Sequence, residues 1–126
     1  MVAVAAGLFL ALTAIVAVFQ LALAAGTPWG HLAWGGRFPG RLPASMRAVA
    51  VVSAALLLSF AAIVCARAGV AFPEWQPLSE RLVWAVVAYC ALGVLANAAT
   101  PSRWERIIWL PVVTLMLVCA LLVAFS

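Results

Sequence analysis

Ionised side chains are scarce in this sequence. Only 8% of the 126 residues are charged, whereas 69% are hydrophobic and the mean hydropathy is +1.25. A soluble domain usually has about 25% charged residues, so this chain lacks the polar surface of a water-facing shell. Intrinsic disorder requires low hydrophobicity and high charge, and a net charge of +4 without a solvated basic face argues against nucleic-acid binding. The class of protein that remains compatible with this composition is an integral membrane protein.

Other absences narrow the chemistry. No Asp, Glu, Lys or Arg lies in the middle of a long apolar segment, and proton-coupled pumps and exchangers usually need a carboxylate there. Cys65, Cys90 and Cys119 lie in separate segments without a Cys-x-x-Cys, which is typical of buried free thiols rather than a redox enzyme. His31 is the only histidine and the chain has no Asp. We therefore expect no metal, no cofactor and no catalytic residue.

The apolar residues form four long segments, at about residues 2–25, 47–67, 81–99 and 105–125. Each approaches the roughly 20 residues that cross a bilayer, and a spanning segment that cannot close a barrel must be helical. The sequence thus predicts an all-α fold, a four-helix transmembrane bundle in a single membrane domain, with a long loop at 27–44. Similar Ala, Pro and Trp patterns after the first and third spans suggest two helical hairpins related as a parallel repeat. The alternative is coincidence, because these residues are common at membrane boundaries.

Several residues mark helix ends. The candidates are Gly26 and Gly69 as C-terminal caps and Ser45 and Ser79 as N-terminal caps. For the fourth helix the candidate is Thr100 followed by Pro101, with Ser102 and Glu105 as an alternative capping box. We expect this helix to begin near residue 102 and to kink at Pro111; the alternative is a start at Leu110, with Pro111 in the first turn.

The arginines predict the orientation. Five lie on the side of the first and third loops (Arg37, Arg41, Arg47, Arg103 and Arg106), and two lie on the other side (Arg67 and Arg81). The positive-inside rule then places loops one and three in the cytoplasm and both termini outside. Dual topology is the alternative, because five against two is a modest bias. We expect no cleavage at Ala22-Leu23-Ala24, because the preceding segment has no basic region and is too long for a signal peptide.

Small and polar residues form stripes along three of the spans. The stripes are Thr13, Ala17, Gln20 and Ala24; Ala55, Ser59, Ala62 and Ala66; and Ala85, Tyr89, Gly93 and Asn97. Because helices in lipid associate through small residues and hydrogen bonds, we expect these stripes to face inward.

The candidate functional residues lie near the cytoplasmic ends of the spans. Gln20 and Asn97 form a polar patch that we interpret first as helix–helix contacts, with a ligand pocket or pathway as the alternative. Loops one and three should pack together as a cap, in which Glu105 pairs with Arg37, Arg41, Arg47 or an arginine of its own turn. All six tryptophans lie near span ends, as interface anchors do. The candidate ligand-binding residues are Gln20, Trp29, His31, Trp34, Asn97 and Glu105.

The sequence of the first loop is part of a pattern that resembles known proteins. Residues 25–36 read Ala-Gly-Thr-Pro-Trp-Gly-His-Leu-Ala-Trp-Gly-Gly, followed by Leu42-Pro43 and Arg47. Together with the later Asn97, Ser102-Arg103-x-Glu105-Arg106 and Pro111, this pattern resembles a group of uncharacterised small bacterial four-helix integral membrane proteins over most of the chain. The resemblance implies four helices and a bacterial inner membrane, and it implies no activity.

These observations favour a non-catalytic membrane protein, either an accessory subunit or a binder of lipid or a small hydrophobic ligand. The alternative is a small oligomeric channel or facilitator, and an enzyme comes third. The expected partners are membrane lipids and either further copies of the chain or a membrane complex, without nucleic acid.

Overall fold

The computed structural model describes all 126 residues and contains four long helices and no strand. The helices are α1 (Val2–Ala24), α2 (Ala44–Arg67), α3 (Gln76–Ala99) and α4 (Arg103–Ala124). Each is long and apolar enough to cross a membrane, so the chain is a multi-pass membrane protein. The predicted all-α four-helix bundle is confirmed. The parallel-repeat relation between the two hairpins stays a prediction.

The helices form a closed ring in chain order. Each helix packs on its neighbours in sequence, and α1 also packs on α4. Loop 1 (residues 25–43) and the turn at 100–102 emerge together at one end, which we call the cap end. Both chain termini and the loop at 68–75 emerge at the other, the terminal end.

The core is not the same at the two ends. The cluster in the terminal half draws on all four helices; its fully buried members include Ala6 and Phe9, Val64, Val86 and Cys90, and Ala120 and Val123. The cluster at the cap end consists of Phe19 and Leu23 of α1, Ala33 and Leu42 of loop 1, and Ala50 of α2. It contains no residue of α3. The last turns of α3 are therefore not part of the packed core.

Glycines follow the C-terminal ends of two helices as predicted, and a serine precedes the N-terminal end of another. Gly26 and Gly69 have φ of +97° and +75°, and the N–H groups around them return to α1 and α2 in Schellman motifs. Ser102 Oγ accepts a hydrogen bond from the Glu105 N–H at 3.3 Å, so the N-cap of α4 is the alternative candidate Ser102 and not Thr100. Pro111 lies inside α4.

Two predicted N-caps are wrong. Ser45 lies within α2, which begins at Ala44 after Pro43. Ser79 is the fourth residue of α3, and its hydroxyl donates to the Gln76 carbonyl at 2.6 Å. Prolines fix the backbone at or just before the first turn of each of these helices, and the helices begin there rather than at the serines.

Three helices begin before the predicted spans. The spans at 47–67, 81–99 and 105–125 start three, five and two residues inside α2, α3 and α4, respectively. Caps decide where a helix begins, whereas charges show only where the membrane ends. Arg47, Glu80 and Arg81 consequently belong to helices.

The predicted inward stripes hold for α1 and for only part of α2. Thr13 and Ala17 are buried, and so is Ala66, whereas Ala55 and Ser59 are exposed. The buried face of α2 runs instead through Ala50, Ala54, Leu57, Ala61 and Val64. The Ser59 hydroxyl donates to the carbonyl of Ala55 in its own helix, so it needs no partner from another helix. In α3, Tyr89 and Ala85 are likewise exposed, and Gly93 and Asn97 are half-buried.

Three arginine side chains bind the C-terminal ends of helices. Arg47 Nε donates to the Ala24 carbonyl of α1 at 2.8 Å, and the Arg106 guanidinium donates to the Thr100 carbonyl that follows α3. Arg67 donates to the Ser126 and Ala124 carbonyls at the end of α4, at 2.7 and 3.4 Å. Each arginine thus satisfies carbonyls that a helix end leaves free and complements the helix dipole.

Candidate functional site

The two loops at the cap end bind each other, as predicted. Loop 1 forms two short 3-10 turns, Gly30–Leu32 and Trp34–Gly36. The Gly35 N–H donates to Glu105 Oε2 at 2.9 Å, Ser102 Oγ donates to the His31 carbonyl at 3.1 Å, and Trp109 Nε1 donates to the Leu32 carbonyl at 2.9 Å. We call loop 1 together with the turn at 100–102 the cap.

The predicted pairing of Glu105 with an arginine is wrong. Its carboxylate accepts a backbone N–H instead, and no arginine nitrogen lies within 4.0 Å of it. Gly35 has a φ of +65°, and in this turn its N–H points at α4. Two of the expected partners, Arg47 and Arg106, bind helix ends instead.

The second turn of loop 1 has an unusual backbone. Trp34, Gly35 and Gly36 all have positive φ, at +55°, +65° and +75°. Glycine adopts this region freely, but a bulky residue there costs about 1–3 kcal/mol and needs support from its surroundings. The hydrogen bond from Gly35 to Glu105 supplies part of that support, and Trp34 is thereby held over the helices.

A cavity of about 390 Å³ lies beneath the cap. This volume falls within the range of small-molecule sites, and most of the lining side chains are apolar, as is usual for such sites. All four helices and loop 1 contribute to it. The lining residues with a polar atom in the side chain are Gln20, Trp34, Ser53, Tyr89, Cys90, Asn97, Glu105 and Trp109.

The cavity opens sideways between α2 and α3. Ser53 and Leu57 of α2 line one wall, and α3 lines the other from Tyr89 to Asn97. Leu92 lines the cavity yet is 66% exposed, and Ala96 is exposed as well. The mouth therefore lies on the outer surface of the bundle, where the α3 segment beyond Cys90 is absent from the core.

The wall between α3 and α4 is close-packed at Gly93. A β-carbon at this position would lie 2.9 Å from Val113 Cγ2. Gly93 thus lets α3 approach α4, as small residues do between membrane helices.

Three amide or carboxylate side chains in the cavity retain unused hydrogen-bonding atoms, and the Trp34 indole N–H and the Tyr89 hydroxyl have no partner either. Asn97 Nδ2 donates to the Gly93 carbonyl at 2.7 Å, but its oxygen has no partner. Gln20 makes no hydrogen bond, and only one Glu105 oxygen accepts one. Thr13 Oγ1 is the only fully buried side-chain polar atom without a partner, so the free atoms of the other three residues are accessible. Because these residues line the cavity, they can bind a ligand there.

The structure brings together four of the six candidate residues. Gln20, Trp34, Asn97 and Glu105 line the same cavity. His31 is exposed and contributes only its backbone carbonyl to the cap. Trp29 stacks on Phe19, with ring centroids 6.4 Å apart, outside the lining. The ligand-binding roles remain predictions.

Comparison with known proteins gives no assignment. No protein-family model, no curated protein and no solved structure matches this chain. No group of three or more His, Cys, Asp or Glu side chains is placed to hold a metal ion. The cavity is therefore the feature from which a function can be argued.

The cavity also contains residues that the sequence did not single out as ligand contacts. Tyr89, the only tyrosine, packs edge-on against Phe60 with ring centroids 4.9 Å apart and reaches the mouth. Trp109 packs on Phe19 at 4.6 Å and forms part of the wall. Tyr89 was recognisable as a polar member of an apolar span, whereas Trp109 is indistinguishable in sequence from an interface anchor.

Proposed function

We propose that the protein is a non-catalytic membrane protein that binds a lipid or another small hydrophobic molecule in this cavity. The observation that carries the proposal is the sideways mouth between α2 and α3, lined by exposed residues such as Leu92 and Ala96. In a bilayer, this surface faces acyl chains rather than water. A ligand dissolved in the membrane can therefore enter without crossing the cap.

Packing and polar contacts would decide what binds. Moving an apolar chain from lipid into a protein cavity gains little hydrophobic free energy, since both surroundings are apolar. Selectivity then depends on shape and on the free polar atoms of Gln20, Asn97 and Glu105. This supports a binder with a defined ligand.

The alternative is a small oligomeric channel or facilitator. Within one chain, the cavity ends at the apolar cluster of the terminal half, where Phe9, Val86 and Val123 are fully buried. A polar path would have to run between copies of the chain. The closed terminal half therefore favours a binder, acting alone, as a homo-oligomer or as an accessory subunit of a membrane complex.

Blocking the mouth should remove the ligand. Ala96→Phe places a large ring at an exposed lining position, where the core is not disturbed. We expect the wild-type protein, extracted in mild detergent, to retain a bound small molecule by native mass spectrometry, and the variant to retain at least tenfold less. Ala98→Phe is the matched control, because Ala98 is exposed on the same helix but does not line the cavity. Equal occupancy in both variants would rule out binding in this cavity.

We further propose a bacterial inner membrane location with both termini outside, on the strength of the arginine bias. The side chains of Arg37 and Arg41 are exposed and form no hydrogen bond, and the Arg41 guanidinium lies beside Gly26 at the end of α1. Changing both to Gln should lower the fraction of molecules with an external C-terminus, measured by paired reporter fusions. Arg81→Gln, on the opposite side, should leave that fraction unchanged or raise it. A C-terminal reporter that is active only in the cytoplasm in the native protein would overturn the orientation.

A further inference from the structure

The amide and carboxylate side chains of the cavity lie at one end of it along the membrane normal, whereas Ser53, Tyr89 and Cys90 lie deeper. Glu105 is the third residue of α4, Asn97 is two residues from the end of α3, and Gln20 is four residues from the end of α1. All three therefore lie towards the cap. The deeper wall is formed by the mid-helix residues Leu57 and Met116. A ligand that fits has its polar end beneath the cap and its tail near the middle of the bilayer.

The cavity has room for one aliphatic chain with a small head. Its volume of about 390 Å³ lies near the lower end of the range of small-molecule sites. A longer chain would have to extend through the mouth into the surrounding lipid.

Glu105 determines which head group is accepted. It is only 9% exposed, no arginine lies within 4.0 Å, and its single protein donor is the Gly35 N–H. Buried carboxylates are normally paired or fully hydrogen-bonded, and here one oxygen remains available. No basic side chain lines the cavity. A ligand head group that donates a hydrogen bond is therefore favoured beside Glu105, and an anionic head group is disfavoured.

From this arrangement we infer that the ligand is a single-chain amphiphile whose polar end is a hydrogen-bond donor, an amine or a hydroxyl, and not an acid. The inference rests on the proposed function and adds the chemical class of the ligand. The donor binds the free oxygen of Glu105, with the amide oxygens of Gln20 and Asn97 as further acceptors. The tail lies against Leu57 and Met116.

Three probes of equal chain length test the head group. Decylamine, decan-1-ol and decanoate are titrated separately into the full chain in mild detergent, and the bound fraction is read by native mass spectrometry. We expect decylamine and decan-1-ol to bind at least tenfold more tightly than decanoate. A monoacylglycerol, whose head has hydroxyl groups and no charge, is tested in the same way to identify the source. If it binds, the ligand is a single-chain lipid; if it is excluded, the ligand is a free amphiphile.

Two variants separate this inference from the proposed function. Glu105→Gln keeps an acceptor for Gly35 but removes the charge, so the preference for decylamine over decanoate should fall at least tenfold while decan-1-ol binding changes less than threefold. Ala96→Phe should abolish binding of all three. If the three probes bind equally and Ala96→Phe still abolishes binding, the head-group inference is wrong and the proposed function stands. If Ala96→Phe changes nothing, the proposed function itself is wrong.

Discussion

Replacing Gly30 by alanine should disrupt the cap. A β-carbon at this buried position would overlap the Phe38 carbonyl oxygen and lie 2.6 Å from the Gly40 carbonyl oxygen. Both obstacles are backbone atoms, which cannot rotate away as a side chain can. The Gly30 N–H also donates to the Gly40 carbonyl at 2.8 Å, so a shift that relieves the overlap would break this bond. We expect a loss of roughly 3 kcal/mol in the free energy of unfolding.

Titration with SDS from a mild detergent, followed by tryptophan fluorescence, measures that loss. Trypsin should also cut faster after Arg37 and Arg41, which are the cleavage sites within loop 1. Gly7→Ala is the matched control, because Gly7 lies in α1 and nothing is within 4 Å of a β-carbon there. If the two variants unfold at the same SDS fraction, the close packing inferred at Gly30 is absent.

Replacing Glu105 by alanine should loosen the contact between α4 and the second turn of loop 1. The carboxylate that receives the Gly35 N–H disappears, and the part-buried N–H then lacks an acceptor. An unsatisfied buried group of this kind costs about 1–3 kcal/mol. This is less than the 3–5 kcal/mol that breaking a buried salt bridge would cost, because no arginine is left unpaired. We also expect Trp34 to leave its positive-φ conformation, since this contact holds its turn.

Glu105→Gln tests whether the hydrogen bond from Gly35 or the negative charge of Glu105 stabilises the cap. The Gln side chain can still accept from Gly35, so most of the stability should be retained in the SDS titration. The environment of Trp34 can be followed by acrylamide quenching of its fluorescence in a protein that retains only this tryptophan. Each Glu105 variant is then compared with the single-tryptophan protein that has Glu105. If Gln and Ala variants are equally destabilised, the negative charge matters more than the hydrogen bond.

The number of helices and the way they end could be predicted because they depend on local sequence. Four apolar segments of the right length dictate four helices, whatever the helices pack against. Gly26 and Gly69 end helices because the left-handed backbone favours glycine. The contact between the two loops was also predictable, since they emerge at the same end and carry aromatic rings that avoid water.

The faces of the helices and the cavity could not be predicted in the same way. These helices are apolar nearly all round, so no periodic pattern tells the lipid side from the protein side. Ser59 shows the difficulty: its hydroxyl is satisfied within its own helix, so a polar residue faces outward. The cavity depends on how closely α3 meets α4 at Gly93 and on how the other helices and loop 1 surround it, which is a tertiary property. The partner of Glu105 depends on the backbone angles of a single loop turn.

The arginines at the helix ends also bear on the order of assembly. Arg67 ends α2, but its acceptors are Ala124 and Ser126, more than fifty residues later in the chain. While the chain is being inserted, this guanidinium stays in water or among lipid head groups until the last helix arrives. Arg47, by contrast, finds the end of α1 as soon as the first hairpin forms. The Arg47 contact thus forms within the first hairpin, whereas Arg67 can connect that hairpin to the second only when α4 is in place.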